Sequence, residues 1–226
     1  MNGPKVTRMI DRRRLLAAGP VLLAAGAAAG RAGAQVPPIS SDDRALGRAD
    51  AAVQVIEYAS LSCSHCAHWH AEVWPEFRRR YVDSGRVRFA LREVLTEPPQ
   101  VAAGGFLLAR CAPPARYYDA LAVLFDAQAQ LITSPSPVDT FASLGPQFGV
   151  SEPQVRACFR DEAAFNALTA RLERTRAAGV SSTPTFVVNG RVLAGEQSVE
   201  QLAAVIDPLL ARPARRGTAA RRGAAR

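Results

Sequence analysis

Val53-Gln54-Val55-Ile56-Glu57-Tyr58-Ala59-Ser60-Leu61-Ser62-Cys63-Ser64-His65-Cys66 is the stretch on which the reading of this chain turns. Its first seven residues are β-branched and aromatic enough for a buried central strand. A helical pattern follows, so Cys63 and Cys66 stand where a helix begins. Two thiols at that spacing can close into a small disulfide and open again. Unpaired backbone N–H groups and the positive end of the helix dipole are aimed at the first sulfur, which favours its thiolate. A protonated His65 adds to this influence. Motifs of this kind lower a cysteine pKa from about 8.5 into the range of about 3.5 to 7.5. A stabilised thiolate is also a good leaving group, which makes the disulfide form an oxidant. Cys66, one turn further in, is the expected resolving thiol.

Outward from this stretch, the two ends of the chain read differently from its body. Arg12, Arg13 and Arg14 precede a weakly apolar run, Leu15 to Ala29, and Ala32-Gly33-Ala34 has the small residues of a cleavage site. Residues 1–34 are therefore expected to be an export signal of twin-arginine type, cleaved near Ala34/Gln35, with Sec export as the alternative. A membrane anchor is disfavoured because the run falls short of the roughly 20 apolar residues a span needs. The tail, 212–226, holds only Ala, Arg, Gly, Pro and Thr, has nothing to bury, and is expected to be a disordered basic extension. The formal charge of +8 belongs to these ends: the leader carries six basic residues and one acid, the tail six more basic, leaving 16 basic against 19 acidic. With no basic stripe or aromatic interleaving through the body, the net charge gives little support to a nucleic-acid partner, and none is expected. About 177 residues remain, 35–211, enough for one domain with a sizeable core. Four cysteines suit an oxidising compartment.

Along the body, residues 35–51 read as a polar, extended lead-in. After Cys66, the residues Trp69, Val73, Phe77 and Tyr81 recur at spacings of four on one helical face, and Pro75 is expected to kink that helix without ending it. Gly85 stops it, and Val87 to Val94 alternates as a second strand. Helical segments are expected over 100–112, 115–130, 138–148, 152–160 and 163–178, with a capping box at Ser151 and Gln154. Then Pro184 to Val188, Asn189-Gly190 and Arg191 to Gly195 form a hairpin signal. An amphipathic helix capped by Ser198 closes the body at Leu210.

A strand leading into Cys-x-x-Cys at a helix start, a helical insertion, then Thr183-Pro184 opening a hairpin before a last helix: this order resembles the DsbA-like thiol:disulfide oxidoreductases of the thioredoxin superfamily, over roughly Val53 to Leu210. The resemblance implies an α/β thioredoxin fold with a helical domain inserted at about 98–162. It implies that Cys63 is the nucleophile and Cys66 its partner, that Pro184 follows a cis peptide bond beside the sulfurs, and that Thr183 pairs with an extended substrate. Glu57 matches an acidic residue buried beneath the disulfide, where it could take the Cys66 proton; a strand residue facing solvent is the alternative. Relatives commonly have Pro-His between the cysteines where this chain has Ser64-His65, and a Thr before the proline occurs in isomerases too. The implied activity is a periplasmic oxidase donating its disulfide to reduced exported proteins, reoxidised by a quinone-linked membrane partner, with no cofactor beyond the disulfide. An isomerase or reductase is the competing enzyme.

Cys111 and Cys158 both fall in the helical block. Relatives in this branch often carry such a pair, and a second disulfide there would close a loop that chain entropy values at about 4 kcal/mol; two inert buried thiols are the rival. The three histidines, His65, His68 and His70, cluster near Cys63 and Cys66. A metal-binding protein using Cys63, Cys66 and His70 is the competing class, weakened because no second ligand pair is visible at matching spacing. His68 and His70 are expected near the rim of the site. Trp69, Trp74, Phe106, Phe125, Phe141, Phe165 and Phe186 are expected in the core.

Overall fold

The computed structural model describes residues 36–211. The expected leader, 1–34, and the basic tail, 212–226, lie outside them. Within the described residues, β2 (Val53–Ala59) leads to α1 (Ser64–Glu72), followed by a short α2 (Trp74–Phe77), a π-helical turn at Arg78–Val82 and β3 (Val87–Glu93). A helical block then runs through α3 (Pro99–Cys111), α4 (Tyr117–Asp126), α5 (Gln128–Thr133), α6 (Pro137–Leu144), α7 (Glu152–Cys158) and α8 (Glu162–Ala177). The chain returns to the sheet as β4 (Thr185–Val188) and β5 (Arg191–Ala194) and ends in α9 (Val199–Leu210). With β1 (Ala45–Leu46) the sheet has the order β1-β3-β2-β4-β5. Only β2 and β3 are parallel; the other neighbours are antiparallel. This is a thioredoxin fold with a helical insertion.

The central position of β2 explains its composition. Strands flank it on both edges and side chains cover both faces, so only Gln54 of its seven residues is not buried. The period of two sorts the residues by face. Val53, Val55 and Ala59 join the large core beneath α1, whereas Ile56 and Tyr58 join a smaller cluster with Ile39, Ala90 and Val187. Glu57 shares the face of Val55 and Ala59, and so is directed into the core under the cysteines. At the centre of that core Trp69 is fully buried, its ring centroid 4.7 Å from that of Phe186 and 6.5 Å from that of Phe89. Removing a side chain of this size from a core typically costs about 3–5 kcal/mol.

Three ion pairs, two of them on the buried Glu93, fix the surrounding segments to the sheet. Glu93, 1% exposed at the end of β3, accepts from Arg110 of α3 at 2.9 Å and from Arg171 of α8 at 2.8 Å. Arg92 holds Asp43 of the lead-in at 2.9 Å. Buried charges persist only when paired in this way, and the pairing docks the insertion against the strand that precedes it. In the hairpin, Asn189 (φ 44°) and Gly190 (φ 89°) take the positive φ angles that a two-residue turn requires. Asn189 Oδ1 also accepts from the Gln54 N–H at 2.7 Å, which pins the turn to β2.

Several expectations are corrected. The lead-in is not simply extended: Ala45 and Leu46 pair with Ala90 and Phe89 as an edge strand. The helix after Cys66 does not run on through Pro75. It ends at Glu72, and Pro75 falls in the first turn of α2, where a missing N–H is harmless. The expected helix over 115–130 is broken at Ala127, where α4 gives way to α5. Phe165 is 57% exposed, because α8 lies on the surface with only Leu168 and Thr175 buried.

The sulfurs of Cys111 and Cys158 are 2.03 Å apart, a bond joining the C-terminal ends of α3 and α7 across 47 residues. Replacing both cysteines by alanine should lower the unfolding free energy by about 2–4 kcal/mol. Urea unfolding measures the loss, and alkylation of Cys63 in the folded variant should proceed as in the parent protein.

Candidate functional site

Cys63 occupies the N-cap position of α1 in an extended conformation, φ −89° and ψ 118°. Its N–H donates to the Ser60 carbonyl oxygen and its own carbonyl accepts from the Ala67 N–H, both at 3.1 Å. The loop before it is tethered from three sides. Ser62 Oγ donates to the Thr96 carbonyl oxygen at 2.8 Å. Gln128, buried at the start of α5, donates from Nε2 to the carbonyl oxygens of Leu61 and Cys63, each at 3.0 Å. Gly105 allows α3 to press close, since a Cβ there would stand 2.6 Å from Leu61 Cδ1. Nothing in the local pattern singles out Gln128, a polar residue in a helical stretch that is recognisable only once the insertion has folded back over the loop.

The two sulfurs differ in environment. Cys63 is partly exposed, whereas Cys66 is fully buried. The hydrogen bond from the Cys66 thiol is the largest influence on Cys63; burial opposes it, and the Thr183 side chain and the peptide N–H groups of Cys66 and His65 add to it. Together they bring the Cys63 pKa from 9.0 down to about 5. When protonated, Cys63 donates to the Thr183 carbonyl oxygen at 3.5 Å; that contact suits the thiol alone, and the donors to the anion outweigh it. Cys66 moves the opposite way, pushed far up by its hydrogen bond to Cys63, by burial and by the Glu57 charge. The helix-start peptides thus do contribute, as the sequence implied, but the neighbouring thiol contributes more.

Thr183 meets Cys63 from the start of the returning hairpin, where the Thr183–Pro184 bond is cis and Pro184 is buried. Glu57 is fully buried, and its Oε2 lies 3.0 Å from His70 Nε2. His70 is therefore not at the rim: it is 8% exposed, with its ring stacked on Phe125 at 4.1 Å. The physical reason is the helical spacing of four from Cys66, which turns both side chains inward over β2.

His65 and His68 do lie at the rim. Both face Glu196, His65 Nδ1 at 2.9 Å and His68 Nδ1 at 2.5 Å from its two carboxylate oxygens. The carboxylate raises the His68 pKa. Burial pushes the Glu196 carboxyl up, yet the hydrogen bonds of His68 and His65 prevail and hold it below the usual range. The same loop is anchored by Trp69 Nε1, which donates to the Gln197 carbonyl oxygen at 2.9 Å. Sequence reasoning missed Glu196, which lies 131 residues from His65. The histidines are thus paired with carboxylates, and among the described residues no group of three or more His, Cys, Asp or Glu is arranged to hold a metal ion. What the arrangement can do is thiol exchange, with one sulfur ready to attack or leave as an anion and the other kept protonated beside it.

Comparison with known proteins agrees with this geometry. Residues 40–208 match the model of a family described as Thioredoxin. A protein of Rickettsia bellii (strain RML369-C) named "Putative protein-disulfide oxidoreductase" is 28% identical over 174 residues, 75% of this chain. The chain covers 65% of that relative's length. Among solved structures, BdbD from Bacillus subtilis in its oxidised form superposes with a TM-score of 0.71 at 18% identity, over 79% of this chain and 98% of BdbD. The alpha-DsbA1 protein of Wolbachia pipientis gives a TM-score of 0.67 at 20% identity, over 76% and 93% of the two chains. The fold is that of the DsbA-like proteins.

A depressed pKa in the folded state means that the thiolate stabilises the reduced protein. That contribution is full above the unfolded-state pKa of 9.0 and is lost as pH falls through about 5. The reduced form should therefore gain stability over the disulfide form as pH rises from about 5 to about 9. Urea unfolding of both forms across that window checks the expected divergence.

Proposed function

The chain belongs to the thioredoxin family, and on that premise we propose that it is a protein-disulfide oxidoreductase, an oxidase that donates a Cys63–Cys66 disulfide to exported proteins in the periplasm. The observation that carries the reading is the contrast between the two thiols: Cys63 partly exposed with its pKa drawn down to about 5, Cys66 buried beside it. A thiolate stabilised to this degree leaves readily, so the disulfide form has the stronger tendency to be passed on. The leader-like residues 1–34 and the even number of cysteines support export to an oxidising compartment.

The proposed reaction needs no diffusible cofactor. A client thiolate attacks Cys63 Sγ, the Cys63–Cys66 bond breaks, and Cys66 leaves with the electron pair and takes up a proton. A second client thiolate then attacks the client sulfur of the mixed disulfide, and Cys63 leaves as the thiolate. The client has lost two electrons and the chain has gained them. An extended client segment would lie along Thr183 as an added strand, held by backbone hydrogen bonds while Cys63 reacts. Reoxidation falls to a quinone-linked membrane partner.

An isomerase is the second reading, and Thr183 before the cis proline is the feature that favours it. The reduction potential of the Cys63/Cys66 pair, measured by equilibration with glutathione, separates the two. The oxidase reading expects a value less negative than about −180 mV, and one near the roughly −270 mV of thioredoxin contradicts it.

A further inference from the structure

The loop that enters α9 sets a carboxylate against the ring of His65, inside the Cys63–Cys66 motif itself. Glu196 Oε2 lies 2.9 Å from His65 Nδ1, and Oε1 faces His68 Nδ1. An ionised carboxylate only accepts, so both rings present Nδ1–H to it. The loop is fixed on either side of Glu196 by bonds that do not involve the histidines. Gly195 donates its N–H to the Pro184 carbonyl oxygen at 2.9 Å, and the Gln197 carbonyl oxygen accepts from Trp69 Nε1 at 2.9 Å. Gln197 Nε2 also donates back to the carbonyl oxygens of Ala194 and Gly195, at 3.1 and 3.2 Å. The carboxylate is therefore held in place between the cis proline and α1, and the histidine rings come to it.

His65 has two directions open to it. Its peptide N–H acts on the Cys63 sulfur from the second position of α1, so its backbone stands next to that sulfur. Rotation of the side chain carries the imidazole either towards Cys63 or away from it. In the structure it is turned away: the side chain is 72% exposed, it bonds to Glu196, and among the described residues it makes no hydrogen bond to Cys63 Sγ. We propose that Glu196 is a positioning residue that restrains the oxidising strength of the Cys63/Cys66 pair by holding the His65 ring off the Cys63 sulfur. The inference rests on the exchange reaction proposed above and concerns how far that reaction is driven.

When the exchange has passed two electrons from a client to the chain, Cys63 is left as the thiolate and Cys66 as the thiol. A cation that turned onto that thiolate would stabilise the reduced pair and make the disulfide a stronger oxidant. The groups that chiefly stabilise the Cys63 thiolate are the Cys66 thiol, Thr183 and peptide N–H groups, none of them a full cation. A released imidazolium would thus add an interaction of a different kind. While Glu196 holds the ring, the two opposite charges stand together and their effects on the sulfur largely cancel. His68 supports the restraint from the other carboxylate oxygen: burial works against the charge of Glu196, but the bonds from both histidines keep it ionised. The other carboxylate that His68 senses is Glu72, on the same helix.

Titration of the Cys63 thiolate in the reduced full chain reads the effect in the acid range, where histidines ordinarily carry a proton. In Glu196→Ala the midpoint should fall by about one unit, the lower end of what an opposite charge within reach produces. The equilibrium with glutathione at about pH 6 should move roughly tenfold towards the reduced pair, a potential about 30 mV less negative. Loss of the Glu196 charge by itself, or a change in the loop, would act on Cys63 without the ring, so the same substitution is made in a His65→Ala protein. There it should have only a small fraction of the effect. A midpoint that stays or rises in Glu196→Ala overturns the proposal, and so does a fall that persists undiminished without His65. The proposal is read from the difference between variant and parent, so a parent potential near that of thioredoxin contradicts the oxidase reading alone.

Discussion

One hydrogen bond governs the chemistry of this molecule: the Cys66 thiol donating to the sulfur of Cys63. It divides two chemically identical groups into an anion and an acid. The division requires that Cys66 keep its proton, which that same hydrogen bond favours most, with burial and the Glu57 charge adding to it. It also requires that Cys63 keep enough contact with solvent for another polypeptide to reach it. A cysteine at the N-cap meets both conditions, because the cap residue sits outside the helix while the residue three positions on is drawn into the core.

Most of the surrounding architecture holds that geometry in place. The aromatic cluster around Trp69 seats α1 on the sheet, and Glu93 with its two arginines docks the insertion onto β3. The docked insertion then returns Gln128 to the backbone on either side of Ser62. The hairpin brings Thr183 to the sulfur from the other side. Each contact comes from a different part of the chain, so the reactive cysteine is held by the fold as a whole more than by its own loop.

What the sequence revealed follows from the range of the interactions involved. The β2 strand, the capping box at Ser151, the helix cap at Ser198 and the Asn189-Gly190 turn are decided by residues within a few positions of one another, and each was legible. Strand β1 was not, since two residues carry no periodicity and form a strand only because the edge of β3 offers partners. Phe165 shows the opposite failure: an aromatic residue suggests a core, but the helix that carries it is buried on a narrow face only. Glu57 was placed by the family resemblance alone, since a period of two sorts a strand into faces without saying which face lies under the cysteines. Its partner His70 was misplaced at the rim because helical spacing gives a face without saying what covers it. Glu196 and the arginines on Glu93 are met only across long separations, where local pattern is silent.

The most direct test of the central claim is to titrate the Cys63 thiolate by its ultraviolet absorbance in a Cys66→Ala protein. If the Cys66 thiol is the chief donor to that sulfur, the midpoint should rise well above about 5 while staying below 9.0, since Thr183 and the peptide N–H groups remain. A midpoint unchanged by the substitution would contradict the account.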